Sequence, residues 1–385
     1  MRHYLIFLSF LLIACGGGDE EPDTKIDGFT VSVVEFDEDL TGGTSNISLN
    51  LRGTLASDTD VAYSLRAGTA QPGVDFQETA GTLTFDKTSK SAALDLTILD
   101  DEHFELTEVF YLVLNADGNE FAYTLTINDD DAIGEVLEDE NGYYTPDNYT
   151  SMTLAFSEEF EGTELNPATW NYELGDGCDV GLCGWGNNEL QSYTDLPENV
   201  KVQDGFLTIT AEKIERDFYS ARITTKNKVD FQFGRIDIRA KLPKGQGVWP
   251  ALWLLGKNID DVSWPACGEI DIMELVGHEP EIVHGTVHYD HGGYKTNTAR
   301  YTLNSGDFSD KFHVFTLVWE EDIMSWYVDN QIYRSFIRVP NTTYPFNSPF
   351  FFIANIAVGG NWPGNPDGTT VFPQTMEVDY IRVFK

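Results

Sequence analysis

Glu269-Ile270-Asp271-Ile272-Met273-Glu274 is the most informative stretch of this 385-residue chain. Branched apolar residues alternating with acids have the period of a strand, so Glu269 and Asp271 share one face while Ile270 and Ile272 pack into a core on the other. Glu274 has the wrong parity for that face. A β-bulge near Met273 would insert the extra residue and return Glu274 to the carboxylate side, and bulges occur where a side chain must be re-aimed. Four regular steps of about 3.3 Å would put the outer Cα atoms on the order of 13 Å apart, and a concave sheet could bring the carboxyls nearer. Three acids on one short strand repel one another, which points to a use for them.

Further strands surround this one: Phe206 to Ala211, Phe233 to Leu242, Trp249 to Leu255, Ile282 to Tyr289, Phe315 to Glu320, Ser325 to Tyr327, Phe350 to Val358 and Met376 to Phe384. Asp329-Asn330 between two apolar runs reads as a hairpin turn. So many strands in about 235 residues predict one large sandwich or barrel over 151–385. Residues 28–131 carry a second series of period-two segments, Thr30 to Phe36, Ser45 to Leu51, Thr82 to Phe85, Ala92 to Leu99, Glu108 to Asn115 and Ala122 to Asn128. That spacing predicts an antiparallel sandwich of roughly a hundred residues. Between the two, residues 132–150 hold Glu138-Asp139-Glu140-Asn141-Gly142 and Pro146, the polar, turn-rich composition of a linker. The fold class is therefore all-β, in two domains.

The amino terminus carries an address. Arg2 and His3 precede an apolar run from Tyr4 to Ala14, too short to span a bilayer and followed by Cys15 and three glycines. It reads as a signal peptide over 1–14, with an acidic tether over 15–27. The layout resembles a bacterial lipoprotein signal, which implies lipid on Cys15, an anchor in the outer membrane and a protein facing the cell surface. Sixty-three acidic against 24 basic residues give a formal charge of −39, which argues against nucleic acid as a partner. Of the remaining cysteines, Cys178, Cys183 and Cys267, an odd number leaves at least one thiol free. Export favours a disulfide between two of them, and Cys178 with Cys183 would close a small loop.

A pair of carboxyls about 5 to 5.5 Å apart is what a retaining glycosidase needs, one ionised and one holding a proton. Joined to the hexapeptide, Trp185-Gly186-Asn187-Asn188-Glu189-Leu190-Gln191, Gly247-Val248-Trp249-Pro250-Ala251-Leu252-Trp253 and Ala357-Val358-Gly359-Gly360-Asn361-Trp362-Pro363-Gly364 resemble glycoside hydrolase family 16, in its bacterial laminarinase branch. The resemblance covers 151–385 and implies a concanavalin-like β-jelly-roll that cleaves internal β-1,3-glucan links with retention and needs no cofactor for catalysis. It implies Glu269 as nucleophile, Glu274 as acid/base and Asp271 as the assisting acid. Trp185 and Trp362 lie in glycine-rich loops where a ring can be presented to solvent, and Trp249 and Trp253 share strand parity. All four are candidate sugar platforms or core residues. Asn187, Glu189 and Arg222 match positions near the cleft and would read hydroxyls, although Arg222 could equally form a salt bridge. His278, His284, His288 and His291 follow the catalytic strand without the spacing of a zinc site. His288 is instead expected to hydrogen-bond near Asp271 or Glu274.

Gly73-Val74-Asp75-Phe76, Gly81 to Phe85, Ile98 to Asp101, Glu105 to Glu108 and Asp129-Asp130-Asp131 resemble a Calx-beta domain, an immunoglobulin-type sandwich. The resemblance implies structural calcium at Glu35, Asp75, Asp100, Asp101, Glu105, Glu108, Asp129, Asp130 and Asp131. A further calcium, implied by the hydrolase resemblance, would lie at Glu161, Gly205 and Asp379 and stabilise rather than catalyse. The expectation is a monomeric, surface-anchored endo-β-1,3-glucanase with β-glucan as partner. The alternatives are a non-catalytic glucan-binding or adhesion protein on the same fold, or a family 16 hydrolase of mixed-linkage glucan, agar or carrageenan.

Overall fold

A computed structural model describes residues 23–38, 44–100, 108–128, 137–149, 152–339 and 342–385. Its amino-terminal part is a sandwich. One sheet pairs Lys25–Val31, Thr44–Thr54 and Ser91–Thr97; the other runs Glu35–Asp37, Asn119–Asn128, Glu108–Ala116, Thr59–Ala67 and Ala80–Phe85. Alternate residues from both sheets, among them Phe29, Ile47, Leu49, Phe85, Phe110, Leu112 and Leu125, close a core of their own. The single strand expected over Thr30 to Phe36 is two, because the chain changes sheets between Val31 and Glu35. Thr59–Ala67 was not legible: Asp60, Ser64 and Arg66 dilute its apolar signal, yet it is a central strand of the larger sheet.

The carboxyl-terminal part is a β-jelly-roll of a ten-stranded and a seven-stranded sheet. The seven-stranded sheet runs Asn171–Glu173, Arg222–Thr224, Phe350–Val358, Val248–Gly256, Glu269–Glu274, Ile282–Asp290 and Tyr294–Thr302. Between the sheets, Leu252, Leu254, Ile270, Ile272, Met273, Val287, Phe315, Leu317, Trp319 and Trp326 form one buried core. The expected hairpin turns at Asp329 and Asn330, whose φ angles of 49° and 67° suit the tight twist of a two-residue connection. No helix among the described residues is long and apolar enough to cross a membrane.

The stretch read as a linker over 132–150 is not a free tether in its described part. Leu137–Asp139 and Gly142–Tyr144 pair as a small hairpin, and Gly142 bridges to Phe312. Arg239 donates to the Tyr143 carbonyl at 2.6 Å. The Tyr380 hydroxyl accepts the Thr145 N–H at 2.8 Å, and buried Tyr149 donates to Asp237 at 2.6 Å. Polar composition predicted solvent, but here the polar atoms are satisfied by buried partners of the ten-stranded sheet. Residues 137–149 are thus a strap on the catalytic domain.

Candidate active site

The hexapeptide is a strand over Glu269–Glu274, and its register shows the bulge. Against one neighbour, Trp253 pairs with Asp271 and Leu252 with Met273, leaving Ile272 without a partner. Against the other, Asp271 pairs with Thr286 and Glu274 with His284, so Ile272 and Met273 face Gly285 alone. Ile272 and Met273 are both buried in the core, and Glu269, Asp271 and Glu274 come to the opposite face.

Each outer carboxyl receives an indole N–H. Trp264 Nε1 donates to Glu269 Oε2 at 3.1 Å, and Trp249 Nε1 donates to Glu274 Oε1 at 3.1 Å. His288 Nε2 lies 3.3 Å from Asp271 Oδ2 and 3.6 Å from Glu269 Oε1. Its Nδ1 is 2.8 Å from the Tyr294 hydroxyl, and the two rings stack. Asp271 is 3% exposed, and its Oδ2 has no aligned donor among the described residues.

Burial dominates the electrostatics. Desolvation, then the charge of Asp271, push Glu269 up to about 8, against the opposing pull of His288, the Trp264 N–H and Arg222. Desolvation pushes Asp271 up to about 8 as well, with Arg334 opposing. Glu274 is raised furthest, by burial and then by the charges of Asp271 and Glu269. Protons therefore leave the three carboxyls in steps that belong to the set. Burial lowers His284, keeping it neutral beside Glu274. Glu269, Asp271 and His288 are also the one set of three or more His, Cys, Asp or Glu among the described residues whose ligand atoms lie within 4.8 Å of one another.

The aromatic expectations divide. Trp362 is 41% exposed and stands edge-on to Trp249, with ring centroids 5.4 Å apart. Trp185 is 8% exposed rather than presented to solvent. Its indole donates to the Gly175 carbonyl at 3.2 Å, and the Arg222 guanidinium packs over its ring at 4.5 Å and over Trp253 at 5.0 Å. Cys178 and Cys183 form a disulfide within the same loop, and Cys267 is free and buried. Arg222 also forms the salt bridge that the sequence left open, to Glu173. Trp253 donates to Asn355 at 2.9 Å. Asn187 and Gln191 both donate to Glu189, whose carboxyl is raised by burial. Their loop is clasped to Gly359-Gly360-Asn361: the Asn361 N–H donates to the Asn187 carbonyl at 2.8 Å. Gly359 has φ 73°, and a Cβ there would meet Leu190 Cγ at 2.6 Å, so glycine is required.

Trp264 and Tyr294 were missed. Trp264 is 48% exposed and only five residues before Glu269, a signal that proximity to the acids could have raised. Tyr294 starts a strand too polar to register as one.

The expected metal positions fall in different surroundings. Asp379 pairs with Arg239, Glu161 is exposed, and Gly205 lies in a turn. In the sandwich, Glu35 and Asp100 are exposed, Glu108 is half-buried, and buried Asp75 accepts the Gln71 N–H at 2.5 Å. Asp101, Glu105, Asp129, Asp130 and Asp131 lie outside the described residues, as does Cys15.

Residues 187–382 match the family model of the glycosyl hydrolases family 16. The chain belongs to that family. Residues 21–133 match the Calx-beta domain. Glucan endo-1,3-beta-glucosidase A1 of Niallia circulans is 41% identical over 298 residues, 70% of this chain and 43% of that protein. The laminarinase catalytic domain of Thermotoga maritima is 46% identical, with a TM-score of 0.57, across 61% of this chain and 98% of that one. The laminarinase of Flavobacterium sp. UMI-01 is 44% identical, with a TM-score of 0.56, across 60% of this chain and all of that one. This family 16 chain thus spans under half of the Niallia protein but essentially the whole of both laminarinase structures.

Proposed function

We propose that the protein is a retaining endo-hydrolase of β-1,3-glucans. The observation that carries this reading is the bulged strand, which sets one buried and two half-buried carboxyls on one face, the outer two each holding an indole N–H. The substrate class rests on the relatives, two of which are laminarinases. Ionised Glu269 attacks the anomeric carbon while Glu274 passes its proton to the departing glycosidic oxygen, giving a glycosyl ester on Glu269. Glu274, now a carboxylate, takes a proton from water, whose oxygen attacks from the face that the leaving oxygen vacated and displaces Glu269 opposite it. Asp271 and His288 beside the nucleophile bias which carboxyl holds the shared proton. Trp362, Trp249 and Trp253 offer apolar area to sugar rings. Arg222, Asn187 and Glu189 serve their hydroxyls, with Trp185 holding Arg222 from behind.

Incubating the full chain with laminarin, lichenan, agarose and carrageenan and sizing the products tests the substrate. Laminarin should give short oligosaccharides through internal cuts. Cleavage of agarose with laminarin untouched would overturn the β-1,3 assignment, and an α-configured first product would exclude retention.

The same reading places the enzyme on the cell surface through lipid on Cys15, supported by the charged, apolar and Cys-Gly-Gly-Gly order of the amino terminus. Cys15→Ala should move it from the membrane to the soluble fraction, and unchanged fractionation would sink the anchor. Calcium at the acidic end of the Calx-beta domain is supported by the density of carboxylates there, which suits an ion taking six to eight oxygens.

A further inference from the structure

Trp326, a fully buried residue of the ten-stranded sheet, lies beneath the bulge and donates its indole N–H to the carbonyl oxygen of Asp271 at 2.9 Å. A carbonyl in a regular ladder points at the adjacent strand, so one that accepts a bond from the opposite sheet is tilted towards the core. Asp271 is where the strand leaves regular register with both neighbours. The bond therefore falls on the residue at which the bulge begins.

Two more features converge there. Gly285 sits between Thr286, the partner of Asp271, and His284, the partner of Glu274. A Cβ on Gly285 would lie 2.6 Å from Trp326 Cδ1 and 2.6 Å from the Tyr333 hydroxyl, so the glycine leaves room for the indole to rise under the strand. The Arg334 guanidinium stacks on Trp326 at 4.3 Å from the ring centroid, and its Nη1 donates to the Gly285 carbonyl at 2.5 Å. The indole is thereby held between a cation and the two strands that meet at the bulge.

We propose that Trp326 is a positioning residue of the hydrolytic reaction: its N–H pins the bulge at Asp271 and so sets the mutual placement of Glu269, Asp271 and Glu274. It acts through the backbone and reaches no substrate. The inference rests on the hydrolase reading. Displacements of about 1 Å at reacting groups cost on the order of 10²-fold in rate, so a small relaxation of the bulge is measurable.

Trp326→Phe keeps an aromatic ring and removes the donor. The folded variant should lose on the order of 10- to 100-fold in kcat on laminarin, with KM within about twofold. The basic limb of its pH–rate profile should move, because the firmness with which Glu274 holds its proton depends on its distance from the other two carboxyls. Gly285→Ala crowds the same indole from the other side and should show the same kcat-against-KM split; it decides the matter if Trp326→Phe does not fold. Near-UV circular dichroism and thermal melting report the fold of each. A folded variant with unchanged kcat and pH profile would overturn the proposal, as would an activity loss that merely tracks the unfolded fraction. The unmutated chain and Glu269→Ser run alongside. An unmutated chain inactive on every β-glucan sinks the hydrolase reading itself, whereas an active one beside an unchanged Trp326→Phe sinks this inference alone.

Discussion

Two sets of acids stand out in the sequence, and their surroundings differ. On the catalytic strand, three carboxyls are packed among indoles and strands, and burial raises all of them. In the amino-terminal sandwich, Glu35 and Asp100 are exposed, Glu108 is half-buried and Asp75 is buried. Solvent screens charges of the second kind, so their repulsion is weak and an ion can enter to collect their oxygens. In the first kind, removal of water is what retains a proton at neutral pH. A net charge of −39 locates neither, since surroundings rather than number decide what a carboxylate does.

The largest expected effects separate the carboxyls within the catalytic set. Glu269→Ala should remove hydrolysis of glucans and of aryl glucosides alike. Glu274→Ala should lower glucan hydrolysis by on the order of 10²- to 10⁴-fold yet spare aryl glucosides whose leaving group departs without a proton. Azide should yield a β-glycosyl azide with Glu274→Ala and an α-azide with Glu269→Ala and an activated donor. The reverse pattern would exchange the two roles.

Next in size is the pH profile. In the proposed mechanism Glu269 must be ionised and Glu274 protonated, and both are raised above 4.5. Both limbs of kcat/KM should therefore lie above the ordinary carboxylate range. An acid limb near 4.5 would mean that Glu269 is solvated when it works.

Smaller again is the effect on stability. A carboxyl raised on folding costs nothing while it is protonated in both folded and unfolded chains. Its penalty begins as pH rises past the unfolded value near 4.5 and is complete above about 8 for Glu269. Glu269→Gln and Glu274→Gln should thus raise Tm by a few degrees at pH 8 and leave it unchanged at pH 4, about 1 kcal/mol being about 2–4 °C in a domain of this size. An equal shift at both pH values would point to packing instead of charge.

The smallest effect on activity is expected from the other acids. Chelator should lower the melting transition of the Calx-beta domain by several degrees, since an ion at about 100 times its Kd contributes about 2.7 kcal/mol. Glucan hydrolysis should stay within about twofold. Identical melting curves with calcium and chelator would remove the ion from the comparison, and a parallel loss of hydrolysis would mean that the two regions are coupled.

Much of the catalytic strand was legible because its information is local. Period two puts Glu269 and Asp271 on one face, the parity of Glu274 demands an extra residue, and the bulge lies at Ile272 and Met273. Asp329 and Asn330 likewise turn the hairpin by their own backbone preference. The wall of the site was less legible. Trp185 stands in a glycine-rich loop that suggests exposure, but Arg222, 37 positions away in sequence, closes over it. Tyr294 opens a polar edge strand with no alternation to mark it, and reaches the site only because that strand pairs with the one carrying His288.

By itself, the sequence determined most of the core strands, which way their side chains alternate, where an irregularity must fall and which family's motifs they spell. Strand period and turn conformation are properties of neighbouring residues, so they survive without knowledge of the rest of the chain. Tertiary structure alone decided that 137–149 is a strap, that Cys178 pairs with Cys183, that Arg239 pairs with Asp379, and which indole serves which carboxyl. Trp249 meets Glu274 across 25 residues, and Trp326 meets Asp271 across 55. Hydrogen bonds and burial of that reach depend on how the two sheets close on each other, and no local pattern carries that information.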